Sequence, residues 1–241
     1  CRKACLMDRQ ILARLNDMRR KRRAAILVTD LSGGPDRLIV EGDALEGALA
    51  EAAASAFRSG KSAALEIEGQ SLFFNVHLPP PRIVVIGAVH ISQVLARMAA
   101  LAGFDVTIID PRTAFATPER FEGIDLIADW PVDALRERPL DSYMALVAVT
   151  HDPKIDDEPI VQALKTGCFY VGALGSRKTH AGRLERLKRE GLSEADLGRI
   201  HAPIGLPIGA ASPAEIAVAI LAEIIGSLRG RDVSSPKGAQ P

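Results

Sequence analysis

The chain has 241 residues, enough for one large domain or two smaller ones. With 47% hydrophobic and 25% charged side chains it has the make-up of a soluble globular protein, not of a disordered or fibrous one. Thirty basic residues balance thirty acidic ones, so no global field draws it to nucleic acid or to a membrane surface. Three cysteines, two of them Cys1 and Cys5, make no disulfide framework and point to a reducing, cytoplasmic compartment. No apolar run reaches the ~18 residues of a membrane span, and no secretory leader is expected. Opening on Cys1 rather than Met, the chain reads as a fragment or a processed form.

The balance hides an asymmetry. Residues 1–23 hold nine basic and two acidic side chains, a net +7 against −7 for the rest. Met7, Ile11, Leu15 and Met18 fall at helical spacing, which predicts an amphipathic helix ending in Arg19-Arg20-Lys21-Arg22-Arg23. That basic end either docks an acidic partner or simply suits the negative end of the helix dipole. A strand over 24–29, a Gly-Gly-Pro turn at 33–35 and a strand over 37–41 follow. An Ala-rich helix over 44–59 closes at Gly60, and strands over 63–67 and 71–76 form a hairpin about Glu68-Gly69-Gln70. Residues 1–77 thus read as a small α+β domain. Leu78-Pro79-Pro80-Pro81 reads as a stiff linker over 78–81, because consecutive prolines hold the backbone extended.

Over 82–230 the pattern changes to strands alternating with helices. Strands are expected over 83–86, 106–109, 124–128, 143–149 and 169–171, and helices over 91–101, 133–138, 156–165, 177–190 and 213–225. The last helix has a full start signal in Ser212, Pro213 and Glu215. The fold class is therefore α/β: a Rossmann-like, doubly wound parallel sheet beside a smaller N-terminal α+β domain. Residues 231–241 read as a disordered tail.

Four loops of this sheet are placed for chemistry. The first strand-to-helix turn reads Gly87-Ala88-Val89-His90-Ile91-Ser92, and Asp110 ends the next strand. That is the place of a dinucleotide fingerprint with Val89 and Ser92 at its second and third glycine positions. Thr150-His151-Asp152 follows the most apolar strand and faces the ligand crevice; Asp156, Asp157 and Glu158 lie just beyond. Ligand contact, metal binding and plain helix capping are all compatible with it. Gly172-Ala173-Leu174-Gly175-Ser176-Arg177-Lys178 lets backbone amides converge and sets two cations where the helix dipole disfavours them, which suits a bound oxyanion; a plain glycine turn is the alternative. The run from His201 to Ala210, with Gly205 and Gly209, makes a rigid loop suited to a flat ligand or to a structural crossover. Cys168 reads as core rather than nucleophile.

Taken together, the run from Ile83 to His90, Thr150-His151-Asp152, the Gly-x-x-Gly-Ser-Arg-Lys order over 172–178, Gly191-Leu192-Ser193 and above all His201 to Glu223 resemble the XdhC/CoxI family. Its members are accessory proteins of xanthine dehydrogenase and related molybdenum hydroxylases. The resemblance covers residues 82–225 with specific motifs and 24–77 loosely. It implies a carrier that binds molybdenum cofactor (molybdopterin), protects it during sulfuration and delivers it to the apo-enzyme. It also implies a homodimer and contact with a cysteine desulfurase. Gly87, His90, Asp110, Thr150, His151, Asp152, Gly172, Gly175, Ser176, Arg177, Lys178, Gly205 and Gly209 are then the candidate cofactor-binding residues, with no catalytic or metal-ligating residue assigned. The chain departs from the family at Val89 and Ser92, and carries Ala44 where members often have a cysteine, as a divergent member would. Two other readings stand beside this one: an NAD(P)-dependent oxidoreductase using Gly87 and Asp110, and a protein-binding scaffold acting through the basic helix.

Overall fold

The structure, a computed structural model, describes residues 8–230; Cys1, Cys5, Met7 and the tail expected over 231–241 lie outside the described residues. The chain divides into two compact units, one ending at Pro79 and the other starting at Pro80.

In the first unit, helix α1 (Arg9–Arg20) opens where the Asp8 carboxylate accepts the Gln10 N–H at 2.8 Å. Leu15 is its buried side chain. Part of the basic run is engaged locally: Asp17 meets Lys21 at 2.8 Å and Arg20 at 3.5 Å, and Arg23 donates to the Glu41 carbonyl. Strands β1 (Ala25–Asp30), β2 (Arg37–Val40), β3 (Ala63–Ile67) and β4 (Gln70–His77) form an antiparallel sheet in the order β2-β1-β4-β3. Helix α2 (Gly47–Ser59) covers it, packing Ala53 and Ala56 over Ile26, Leu72 and Phe74, and ends at Gly60 with φ 64°. Ala44 is exposed in the turn before α2, where Asp43 accepts the Val40 N–H; the flanking Asp43 and Leu45 line a cleft of about 390 Å³.

The second unit runs β5 (Arg82–Ile86), α3 (His90–Leu101), β6 (Asp105–Ile109), β7 (Asp125–Ile127), α4 (Pro131–Glu137), β8 (Met144–Ala148), α5 (Pro153–Thr166), β9 (Tyr170–Ala173), α6 (Arg177–Arg189), α7 (Glu194–Leu197), β10 (Ile200–His201) and α8 (Pro213–Leu228). Its six strands are all parallel, in the order β10-β9-β8-β5-β6-β7. This is the doubly wound order of dinucleotide-binding sheets: the chain steps outward from β5 through β7, then returns to build β8, β9 and β10 on the other side. Strands β5 and β8 are almost wholly apolar because helices cover both faces. Helices α3 and α8 pack on one face, through Leu95, Ala99, Ala217 and Ile220. Helices α4, α5 and α6 pack on the other, through Leu135, Ile160, Leu164 and Leu187. Ser212, Pro213 and Glu215 start α8 as the sequence signal predicts, with a reciprocal capping box. Helix α7 and strand β10 have no counterpart among the elements expected from sequence; at four and two residues they are too short to show periodicity.

Winding reverses between β5 and β8, so α3 and α5 leave on opposite faces and the carboxyl ends of these two strands form the switch point where sheets of this kind open a ligand crevice. Among the described residues no helix is long and apolar enough to cross a membrane.

Candidate functional site

The β5–α3 turn is held from three sides. Gly87 has φ 120°, and a Cβ there would come within 2.9 Å of Thr150 Cγ2 and 3.2 Å of Val149 Cγ2, so this turn lies directly on the end of β8. Ser92, fully buried on α3, donates its hydroxyl to the Gly87 carbonyl, a use for a side chain where the dinucleotide fingerprint has glycine. From behind, buried Asp110 accepts the Ala88 N–H at 2.7 Å. Its oxygens also take the Arg112 backbone N–H, Nε and Nη2, at 2.7 to 2.9 Å. Four donors fill the acceptor capacity of a carboxylate, so Asp110 braces the turn and has none left for a ribose hydroxyl. Burial alone would raise its pKa, but Arg112 and the two backbone donors hold it below the usual carboxylate range. Arg120 completes the brace, donating to the Ala88 and Phe115 carbonyls.

The β8–α5 turn is organised by Asp156, which is 1% exposed. Its Oδ1 accepts the Thr150 hydroxyl at 2.7 Å and its Oδ2 the His151 N–H at 3.1 Å. Those bonds keep His151 at φ 65°, a left-handed conformation that a non-glycine residue adopts at a cost, with its imidazole exposed. Asp152 caps α5 by accepting the Lys154 N–H. Burial raises the Asp156 carboxyl to about 6, against the pull of the Thr150 bond and the Arg183 charge. His151→Gly is therefore expected to be as stable as the wild type or up to about 1 kcal/mol more stable in urea unfolding, because glycine relieves the left-handed strain. A clear loss of stability would show that the turn needs the imidazole for packing.

The β9–α6 turn carries the charge. Gly175 has φ 141°, and Ser176 caps α6 through the Thr179 N–H at 3.2 Å. Arg177 and Lys178 are exposed in the first turn, and no acidic side chain among the described residues pairs with either. The first amides of a helix have no intrahelical acceptor, so backbone donors and two cations converge there. Beneath them Arg183 is 2% exposed and donates Nη2 to the Leu174 carbonyl at 3.1 Å. Its Nε and Nη1 have no hydrogen-bond partner, Asp157 standing 3.9 Å from Nε, and burial lowers its pKa.

The expected residues thus fall into two groups. Gly87, Thr150, His151, Asp152, Gly175, Ser176, Arg177 and Lys178 stand on the turns at the carboxyl ends of β5, β8 and β9. Asp110, Gly172 and Gly205 shape the scaffold: a Cβ on Gly172 would meet Tyr170 and Ile204 at 2.5 to 2.7 Å, and one on Gly205 the α8 backbone at 3.0 Å. His90 begins α3 and faces a groove shared with Ser212, Pro213 and Ala214, while Gly209 is exposed on its loop. Cys168 is buried, and burial pushes its thiol up to about 11. Arg112, Arg183 and Glu223 are not among the residues that sequence pattern singles out. Arg183 sits four residues before Leu187 on the buried face of α6, and Glu223 stands in the apolar run of α8; a charge on an apolar stripe is the signal each offers.

The model of the XdhC Rossmann domain matches residues 83–224, the whole sheet with these three turns. The chain belongs to this family. Within the XdhC family it is 36% identical over 148 residues to a probable xanthine dehydrogenase subunit from Bacillus subtilis, covering 61% of this chain and 43% of that protein. It is 29% identical over 147 residues to the molybdenum cofactor insertion chaperone PaoD of Escherichia coli, covering 61% of this chain and 40% of that one. A crystal structure of a xanthine dehydrogenase from Bacillus halodurans superposes with a TM-score of 0.62 at 25% identity, over 96% of this chain and 68% of that one. The chain spans less than half the length of the curated relatives it matches.

Proposed function

We propose that this protein carries molybdenum cofactor and delivers it to a molybdenum hydroxylase of the xanthine dehydrogenase type, without turnover of its own. The observation that carries the reading is the α6 start, where Arg177 and Lys178 stand without acidic partners above buried Arg183. The cofactor ends in a phosphate, and a glycine turn, free helical amides and unpaired cations are what a phosphate needs. The pterin would lie at the carboxyl ends of the parallel strands, where the α6 start stands between the His151–Asp152 turn and the loop after β10. Among the described residues the thiol present, Cys168, is buried and is not offered to the metal end. The relatives' names favour this role, and the apo-enzyme, a cysteine desulfurase and a second copy of the chain are the partners it implies.

The strand order also suits NAD(P), but the full engagement of Asp110 removes the group that would hold the ribose. The test is the double variant Arg177→Ala/Lys178→Ala, purified beside the wild type from a host that makes the cofactor. Two charge-assisted contacts, each about 1.5–3 kcal/mol, make at least a tenfold loss of bound pterin the expected result. Equal retention by a folded double variant would remove the α6 start from the site.

A further inference from the structure

The loop after β10 holds a polar chain that the carrier reading leaves unused. Glu223, 6% exposed on α8, accepts the Tyr170 hydroxyl at 2.6 Å and the Gly205 N–H at 2.8 Å on Oε2. Its Oε1 lies 3.1 Å from His201 Nδ1. The His201 ring rests on the Tyr170 ring, with centroids 4.6 Å apart. Burial alone would raise the Glu223 carboxyl, but its donors His201, Tyr170 and Gly205 hold it below the usual range. An ionised carboxylate only accepts, so the neutral imidazole must carry its proton on Nδ1 and leave Nε2 as a bare acceptor. Among the described residues Nε2 has no hydrogen-bond partner, and the side chain is 32% exposed. His201 ends β10 in register with Gly172 of β9, the strand that leads three residues later to Gly175 and the anion-binding turn. A sheet without a side chain at Gly172 leaves this face open to Tyr170 and the loop.

We propose that His201 Nε2 is a ligand contact: a hydrogen-bond acceptor, its tautomer fixed by Glu223, for the N–H edge of a flat heterocycle whose phosphate sits at the α6 start. This rests on the carrier reading for the phosphate and adds the edge that is recognised. A lone acceptor selects a ring that presents donors, such as the lactam N–H and exocyclic amine of a 2-amino-4-oxopyrimidine. Pterins and guanine nucleotides share that edge, so both serve as probes.

The experiment uses the wild type and Glu223→Gln, with 15N-labelled histidine, at pH 8. In Glu223→Gln the side-chain oxygen must stay on Tyr170 and Gly205, so the amide nitrogen would donate to Nδ1 and move the histidine proton to Nε2. In the wild type, two-bond 15N–1H spectra are expected to show His201 protonated at Nδ1. The Nε2 resonance should move on adding 6-carboxypterin or guanosine monophosphate. In Glu223→Gln the tautomer should invert and binding should weaken at least tenfold, with the thermal transition still cooperative. A wild-type Nε2 signal that ignores both probes while either binds would overturn the proposal even if the variant failed to fold, as would an inverted tautomer with unchanged affinity. Binding of the nucleotide alone would keep the His201 contact and remove the pterin carrier; binding of neither probe would remove both.

Discussion

Replacing Asp156 with alanine is expected to lower the unfolding free energy by about 3 kcal/mol at pH 7, because it removes the short acceptor of the buried Thr150 hydroxyl and the acceptor of the part-buried His151 N–H. It also removes one of the two α5 carboxylates whose charge acts on buried Arg183, leaving Asp157 at 3.9 Å as that guanidinium's partner. The cost should depend on pH in a definite direction. The Asp156 carboxyl titrates at about 6 in the folded chain against an ordinary value of 3.8, so the native state takes up its proton first as pH falls. Between those values the native state binds more protons than the unfolded one, and this group's contribution to stability grows on acidification. The wild type gains that increment and the variant does not. The cost of Asp156→Ala is therefore expected to be about 1 kcal/mol larger at pH 5 than at pH 7. Urea unfolding of both proteins at the two pH values measures it. A cost that shrinks on acidification, or stays below about 1 kcal/mol throughout, would contradict this placement of Asp156.

Gly87→Ala is the second large effect. At φ 120° an alanine is strained before any contact is considered, and its Cβ would meet Thr150 Cγ2 at 2.9 Å, Val149 Cγ2 at 3.2 Å and the Thr150 backbone nitrogen at 3.3 Å. Relief requires the β5–α3 turn to move off the end of β8, which disturbs the Thr150–Asp156 bond on one side and the Asp110–Ala88 bond on the other. A loss of about 2–4 kcal/mol is expected from strain and overpacking together. On the carrier reading, bound pterin should fall in parallel, since both turns stand at the switch point of the sheet. A variant with near wild-type stability and retention would mean that the two turns are not packed as described.

How much of this is legible in the sequence follows from what each feature rests on. The alternation of apolar strands and amphipathic helices is a local pattern, so the parallel sheet can be read from Ile83–Ile86, Met144–Ala148 and the α8 start. The glycine turns and the Arg177-Lys178 pair are visible because left-handed backbone and misplaced charge leave marks in sequence. The support of the site is not visible. That Asp110 holds Ala88 across 22 positions, or that Tyr170 meets Glu223 across 53, is set by which strands become neighbours, and no window of sequence contains it. A carboxylate at the end of the second strand looks the same from sequence whether it awaits a ribose or braces a turn. Only its four donors distinguish the two.

The most direct measurement of the central claim is the amount of pterin carried per chain. Protein purified from a host that makes molybdenum cofactor is oxidised with acid and iodine, and the fluorescent pterin released is counted against protein. Release approaching one pterin per chain is the predicted result. Well-folded protein that releases none, from a host whose own molybdoenzymes are active, would contradict the carrier reading.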